Sequence, residues 1–259
     1  MNFGFVDPWH QFLPREAGHV VALMGSGGKT SLMRVLADFY VGISVPVVLT
    51  TTTRSEPLPG LEAVELSTLA SLDGADLPEA FFLHGGLLPD GKWAGLSPAE
   101  VDGLGGSLPD RLVLAEVDGA AKLPLKLHRD GEPVWPGRTS LGIVVMGTAA
   151  VGAKTADVLH RFGRLEGPAL DDLQPWTVWE WDHSLALLLE PEGYLSRVPA
   201  DIPCVLALTG MDEQPDSIGL FEFVGKAMGH ERLPLVMFCD LAQDQPVIRT
   251  AYAKEDGQS

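Results

Sequence analysis

Apolar positions along the chain fall into short blocks separated by glycine, proline and polar turns. His19 to Met24 (HVVALM) is an apolar run ending in glycines, the pattern of a strand buried on both faces of a parallel sheet. From Lys29 the period changes. Leu32, Val35, Leu36, Phe39 and Tyr40 fall at i, i+3, i+4, i+7 and i+8, one face of a helix that Gly42 stops. Val45 to Thr50 is the next strand, so the segment reads as a βαβ unit, whose crossover is expected to be right-handed. Strand patterns return at Leu61–Leu66, Ala80–Leu83, Arg111–Val117, Ser140–Met146, Val205–Thr209 and Leu233–Phe238. Helical spacing lies between them at Pro98–Leu104, Thr155–Phe162, His183–Leu189 and Ile218–Met228. This alternation predicts a three-layer α/β fold around a mainly parallel sheet. The stretch GGLLPDGKWAG carries Pro-Asp-Gly turn chemistry and predicts a small hairpin insertion at about 84–96. Residues 1–18 read as a mixed lead-in that packs Trp9, Phe12 and Leu13 on the body, and 253–259 as a frayed polar tail. Neither a repeat nor a linker divides the chain, so 1–259 reads as a single domain.

Composition narrows the class of partner. The chain has 259 residues with 35 acidic and 18 basic side chains, a net charge of -17. Such a surface repels nucleic-acid phosphates and anionic lipids, so neither is expected as a partner. It does not exclude a nucleotide, because converging backbone N–H groups hold phosphate locally whatever the global field. The plain reading of the acidity is solubility. Cys204 and Cys239 stand apart in apolar runs and read as small core residues rather than a redox or metal pair, which suits a reducing cytoplasm. The first 20 residues lack the basic and apolar regions of a signal peptide, and no apolar run approaches the roughly 18 residues of a membrane helix. The expectation is a soluble cytoplasmic protein. The seven histidines show no His-Glu-x-x-His spacing, so no zinc site is expected. Trp176, Trp179 and Trp181 read as core.

The strongest chemical signal is Gly25-Ser26-Gly27-Gly28-Lys29-Thr30-Ser31, between a strand and an amphipathic helix. Glycines reach φ > 0 and carry no Cβ, so successive amides can converge on a phosphate, and the helix adds its positive end. Lys29 is expected to reach the β- and γ-phosphates, and the Thr30 hydroxyl to coordinate Mg²⁺. The usual Gly-x-x-x-x-Gly-Lys-Thr pattern would place glycine at 23, where this chain has Leu23, so the loop is the shorter Gly-x-x-Gly-Lys-Thr. Downstream, RLVLAEVDG (111–119) is an apolar strand ending in carboxylates. Asp118 is the expected Mg²⁺ partner, directly or through water, and Glu116 the residue that orients or activates a water. Thr50 to Thr53 close the second strand, where Thr52 and Thr53 are expected to meet the metal or terminal phosphate. The cofactors implied are ATP or GTP with Mg²⁺.

These segments resemble the YqeC family, described as accessory proteins of selenium-dependent molybdenum hydroxylases. The resemblance runs in order from His19 to Asp240 through VALMGSGGKTSLM, VVLTTTTR, DGKWAGLSPAEVDGL, AEVDGAAKLPLK with GEPVWP, and LHRFGRL with PEGYLSRVP. It implies a P-loop NTPase-like fold, a role in maturing a molybdenum enzyme, and a client hydroxylase as partner. It also adds Lys92, Gly119, Lys126, Glu132, His160 and Arg161 to the residues of interest; of these, Lys126, Glu132, His160 and Arg161 are read as the lining of a second-substrate pocket, as a nucleotide-sensing charge pair, or as surface charges and helix-end pairs. The base-reading Asn-Lys-x-Asp motif that the family tends to show is replaced by Thr209-Gly210-Met211-Asp212, so ATP and GTP are not distinguished.

Three functions fit the sequence. One is a slow NTPase that stabilises γ-phosphoryl charge with Lys29 and Mg²⁺, with Arg54 and Arg161 as candidate arginine fingers. A second is a nucleotide-gated module that passes on a cofactor without turnover. The third, a Mur-type ATP-dependent ligase, shares the short loop but not the later motifs.

Overall fold

The computed structural model describes residues 3–6, 12–71, 77–119, 122–164, 170–210, 217–241 and 247–254. Along the chain run β1 (Phe3–Val6), β2 (Val20–Gly25), α1 (Lys29–Gly42), β3 (Val47–Thr51), β4 (Glu62–Glu65) and the one-turn α2 (Leu66–Leu69). They are followed by β5 (Ala80–His84), α3 (Pro98–Ser107), β6 (Leu112–Glu116), β7 (Leu125–Lys126), β8 (Thr139–Gly147), α4 (Thr155–Val158) and β9 (Leu159–His160). The last elements are α5 (Trp181–Leu189), β10 (Cys204–Thr209), α6 (Ser217–Gly229), β11 (Leu235–Asp240) and β12 (Val247–Lys254).

One ten-stranded sheet runs in the order β1-β12-β11-β10-β8-β2-β6-β3-β5-β4. Every pairing from β11 to β4 is parallel, and only β12 runs antiparallel to its neighbours β11 and β1. Alternate side chains of the central strands feed two separate cores. Val20, Ala22 and Met24 join Val48, Val144 and Met146 on one face, where α3, α5 and α6 supply Leu104, Leu188 and Phe223. Val21 and Leu23 join Leu49, Ile143 and Val145 on the other, under Leu32, Leu36 and Tyr40 of α1. A strand buried on both faces needs an unbroken apolar run rather than an alternating one, and HVVALM is such a run. The result is a three-layer α/β fold of the P-loop NTPase type. β2 sits near the middle of the sheet, so the loop after it opens where strands from both sides end.

Local chemistry sets the helix ends. α3 begins on a capping box, with the Ser97 hydroxyl accepting from the Glu100 N–H, the Glu100 carboxylate accepting from the Ser97 N–H, and Pro98 opening the helix. Residues 85–95 fold back on themselves through Gly85 N–H to Ala94 O at 2.9 Å, Ala94 N–H to Gly86 O at 2.8 Å and Leu88 N–H to Lys92 O at 2.8 Å. Trp93 stacks there on Phe82 and His84.

The structure departs from the sequence pattern in several places. Phe3–Val6, part of the expected lead-in, forms an edge strand in register with Val247–Lys254, and that strand continues two residues into the expected frayed tail. The helix expected over Thr155–Phe162 stops at Val158, because Leu159 and His160 pair in parallel with Leu125 and Lys126 as a separate two-stranded sheet. Trp179 and Trp181 are core residues, whereas Trp176 is exposed. Both cysteines are buried and unpaired. No described helix is long and apolar enough to cross a membrane. Trp9, Met211, Asp212 and residues 255–259 lie outside the described residues.

Candidate functional site

The loop after β2 is shaped by close backbone approach. Gly25 and Gly27 have φ of 97° and 88°. A Cβ on Gly25 would strike the Val145 carbonyl, and one on Gly27 would lie 2.6 Å from Gly147 Cα and 2.8 Å from Pro124 O. Only glycine fits either position. The loop is then pinned from outside: Ser26 N–H donates to Val145 O at 3.0 Å, the Ser26 hydroxyl to Leu123 O, and the Thr209 hydroxyl to Gly27 O. α1 starts at once, and Leu32 N–H closes its first turn on Gly28 O at 2.9 Å. The amides of Gly27 through Ser31 find no hydrogen-bond acceptor among the described residues. They are the unsatisfied donors that a helix start leaves for an anion.

Those residues open on a cavity of 310 Å³ lined by Gly27, Gly28, Lys29, Thr30, Ser31, Glu116 and Lys122. The Thr30 hydroxyl donates to Glu116 Oε2 at 3.3 Å. Lys29 is buried and folded back, donating to Gly25 O at 2.6 Å, with its ammonium 3.0 Å from Asp118 Oδ1 and 3.5 Å from Glu116 Oε1. Burial works against its charge, but the two carboxylates outweigh burial and raise its pKa. Burial raises that of Glu116, reinforced by Asp118 and opposed by Lys29.

Asp118, the carboxylate expected at the metal, lies outside this lining and is fully buried. Its Oδ2 accepts from Gly25 N–H at 2.8 Å and His128 Nε2 at 2.6 Å and lies 3.2 Å from Lys126 Nζ. Burial would raise its pKa, yet Lys29, the His128 hydrogen bond and Lys126 hold it well below the usual carboxylate range. An ionised carboxylate only accepts, so His128 Nε2 carries its proton there. Lys126 continues the chain of charges, donating to Gly119 O at 2.5 Å and lying 3.5 Å from Glu132 Oε2. Arg161 Nη1 and Arg129 Nε meet Glu132 at 2.6 and 2.7 Å. Burial alone would raise Glu132, but Arg161, Lys126 and Arg129 bring it down to about 2.

The threonines belong to the wall rather than to this cavity. Thr51 pairs in register with Glu116, its hydroxyl donating to Glu116 O at 3.1 Å, and the Thr52 hydroxyl donates to Val134 O at 2.8 Å. Thr52 and Thr53 line a second cavity of 770 Å³ with Arg54, Lys92, Gly119, Arg129, Glu132, His160 and Arg161 among its neighbours. The structure thus brings Gly27, Gly28, Lys29, Thr30, Ser31 and Glu116 together at one opening. It places Gly25, Ser26 and Asp118 behind that opening, and Thr52 and Thr53 beyond the wall. Lys122 and His128 escaped sequence reasoning; both fall in the stretch after Asp118, where no periodicity marks them. Among the described residues no group of three or more His, Cys, Asp or Glu side chains is placed to hold a metal ion.

Comparison with known proteins follows the same elements. A family model described as YqeC protein matches residues 21–163. Every residue lining the two cavities falls inside that span. A protein of Escherichia coli (strain K12) described as "Uncharacterized protein YqeC" is 28% identical over 216 residues, covering 82% of this chain and 84% of its own length. The comparison with solved structures returns no match.

Proposed function

This chain belongs to the YqeC family, and from that premise we propose that it binds a nucleoside triphosphate with Mg²⁺ at the loop after β2 and acts as an accessory factor in the maturation of a molybdenum hydroxylase. The observation that carries the nucleotide reading is the run of five amides, Gly27 to Ser31, without acceptors and facing a cavity beside a lysine. Converging amides at a helix start, with an ammonium group alongside, match the charge and shape of a polyphosphate. The maturation role, including its selenium-dependent branch, is supported by the family resemblance.

The residues present fit Mg²⁺. A hydroxyl and a carboxylate, Thr30 and Glu116, are already in contact at the edge of the cavity, a hard oxygen pair of the kind that holds this ion together with phosphate oxygens. When bound, the ion would neutralise charge on the phosphates. In this assignment Glu116 takes the place first given to Asp118, and Asp118 holds the loop from behind. Lys29 must turn from Gly25 O and the two carboxylates toward the phosphates, so phosphate competes with an ion pair already made. Hydrolysis is expected to be slow. Arg54 and Arg161, the candidate arginine fingers, line the other cavity. This placement favours, as a second reading, a nucleotide-gated module without significant turnover.

The test is equilibrium titration with ATP, GTP and their slowly hydrolysed analogues, with and without Mg²⁺, on the native chain and Lys29→Ala. Tighter binding to the native chain supports the reading. Equal binding to both, or none to either, overturns it.

A further inference from the structure

The lining of the second cavity carries the opposite charge balance to the chain as a whole. Acidic residues outnumber basic ones 35 to 18 over the chain. Yet this cavity gathers Arg54, Lys92, Arg129 and Arg161 against only Asp130 and Glu132. Glu132 is over-matched, with Arg161, Arg129 and the buried Lys126 all converging on it. One carboxylate offsets one of these cations, and each guanidinium has more donors than Glu132 can accept. Arg54 and Lys92 pair with Asp90 and Glu56 at 3.6 and 2.9 Å, and those carboxylates are themselves about half exposed. Such rim pairs are weak and exchange readily for a better acceptor. The imidazole of His160, half-buried in the wall, has no hydrogen-bond partner among the described residues. The volume, 770 Å³, suits a small organic molecule.

We propose that this cavity is a second ligand site, for a small molecule carrying a phosphate-like oxyanion that docks against Lys92, Arg129 and Arg161. A surplus of guanidinium and ammonium groups in a concave site is the arrangement that selects such anions. The site lies across a single wall from the loop cavity. Glu116 stands on one side, Gly119, Thr52 and Thr53 on the other, and Thr52 N–H donates to Glu116 O at 2.9 Å. Asp118 links the two sides, touching Lys29 toward the loop and Lys126 toward Glu132. The inference goes beyond the nucleotide reading and does not depend on it.

Inorganic phosphate is the probe, titrated into the full chain against chloride at equal ionic strength, with the His160 imidazole resonance as local reporter, assigned through His160→Gln. A saturable shift is expected. The variant carrying Arg54→Gln, Lys92→Gln and Arg129→Gln changes exposed side chains, and binding should weaken about tenfold or more. Lys29→Ala, or Thr30→Val should the first not fold, should leave the shift within about twofold. An unmoved His160 resonance, native-like binding by the triple variant, or loss of the response in the loop variant overturns the proposal. A chain that binds no nucleotide yet gives the shift refutes the nucleotide reading alone.

Discussion

The Asp118 carboxylate accepts the Gly25 N–H at 2.8 Å and so fastens the end of β6 to the first residue of the glycine loop. The same group faces Lys29 and Lys126. It is the negative charge that the two buried ammonium groups share, beside the Glu116 carboxylate for Lys29 and the Glu132 carboxylate for Lys126.

Replacing it isolates that role. Asp118→Asn keeps the size but leaves Lys29 and Lys126 without their shared counter-charge. Breaking one partner of a buried ion pair costs about 3–5 kcal/mol. Urea denaturation should show a loss of that order with little change in slope; a loss below about 1 kcal/mol would place Asp118 outside the framework described above.

Glu116 should behave in the opposite way. Its side chain is partly exposed and meets the cavity edge, and glutamine retains an acceptor for the Thr30 hydroxyl. Glu116→Gln is expected to fold normally and to lose most of the Mg²⁺-dependent gain in nucleotide affinity, about tenfold, which is roughly 1.4 kcal/mol. Isothermal titration with and without Mg²⁺ measures it. An unchanged Mg²⁺ effect would return the metal to another residue.

Gly27 and Gly60 make a matched pair. Both have positive φ, 88° and 82°, but a Cβ on Gly60 meets nothing within 4 Å, while one on Gly27 runs into Gly147 and Pro124. Gly60→Ala should cost only the left-handed backbone strain, about 1–2 kcal/mol. Gly27→Ala should cost about 1–3 kcal/mol more from overpacking. Equal melting temperatures for the two would show that the loop is not held against β8 as described.

Glu132 should contribute to acid sensitivity together with Asp118, whose pKa is also held down. The folded pKa of Glu132, about 2, lies below the unfolded value, so it contributes stability that is complete above roughly pH 4.5 and is lost as pH falls toward 2. Glu132→Gln removes that titration while taking the carboxylate from Arg161 and leaving Lys126 with Asp118 alone. It is therefore expected to melt lower at neutral pH and to show a shallower fall in melting temperature between pH 5 and 2. A variant whose acid limb keeps the native steepness would assign the effect elsewhere.

Much of the framework is legible in the sequence because β2, β3, β6, β8, β10 and β11 are apolar runs with polar ends, a local signal. What stayed hidden depends on distant partners. Leu159 and His160 continue a helical pattern, and only their pairing with Leu125 and Lys126 makes them a strand. Phe3–Val6 is four residues long and becomes a strand only against Val247–Lys254. Within the site, Glu116 and Asp118 look interchangeable as carboxylates at a strand end. Their separation is decided by His128, which no motif announces, and by Lys126, which entered only through the family resemblance. The threonine run closes β3 at the same end of the sheet as the glycine loop, but the hydroxyls of Thr50, Thr51 and Thr52 donate to carbonyls and that of Thr53 meets Thr51.

The position of β2, with strands paired outward on both of its flanks, has a consequence for how the molecule breathes. Solvent enters a sheet from its margins, so deuterium should replace the amide hydrogens of β1 and β4 long before those beneath the glycine loop. Val117 N–H, bonded to Leu23 O at 3.0 Å, belongs to this late-exchanging set. Any adjustment to an arriving ligand is therefore confined to the side chains and connections above the strand ends, over a floor that stays shut.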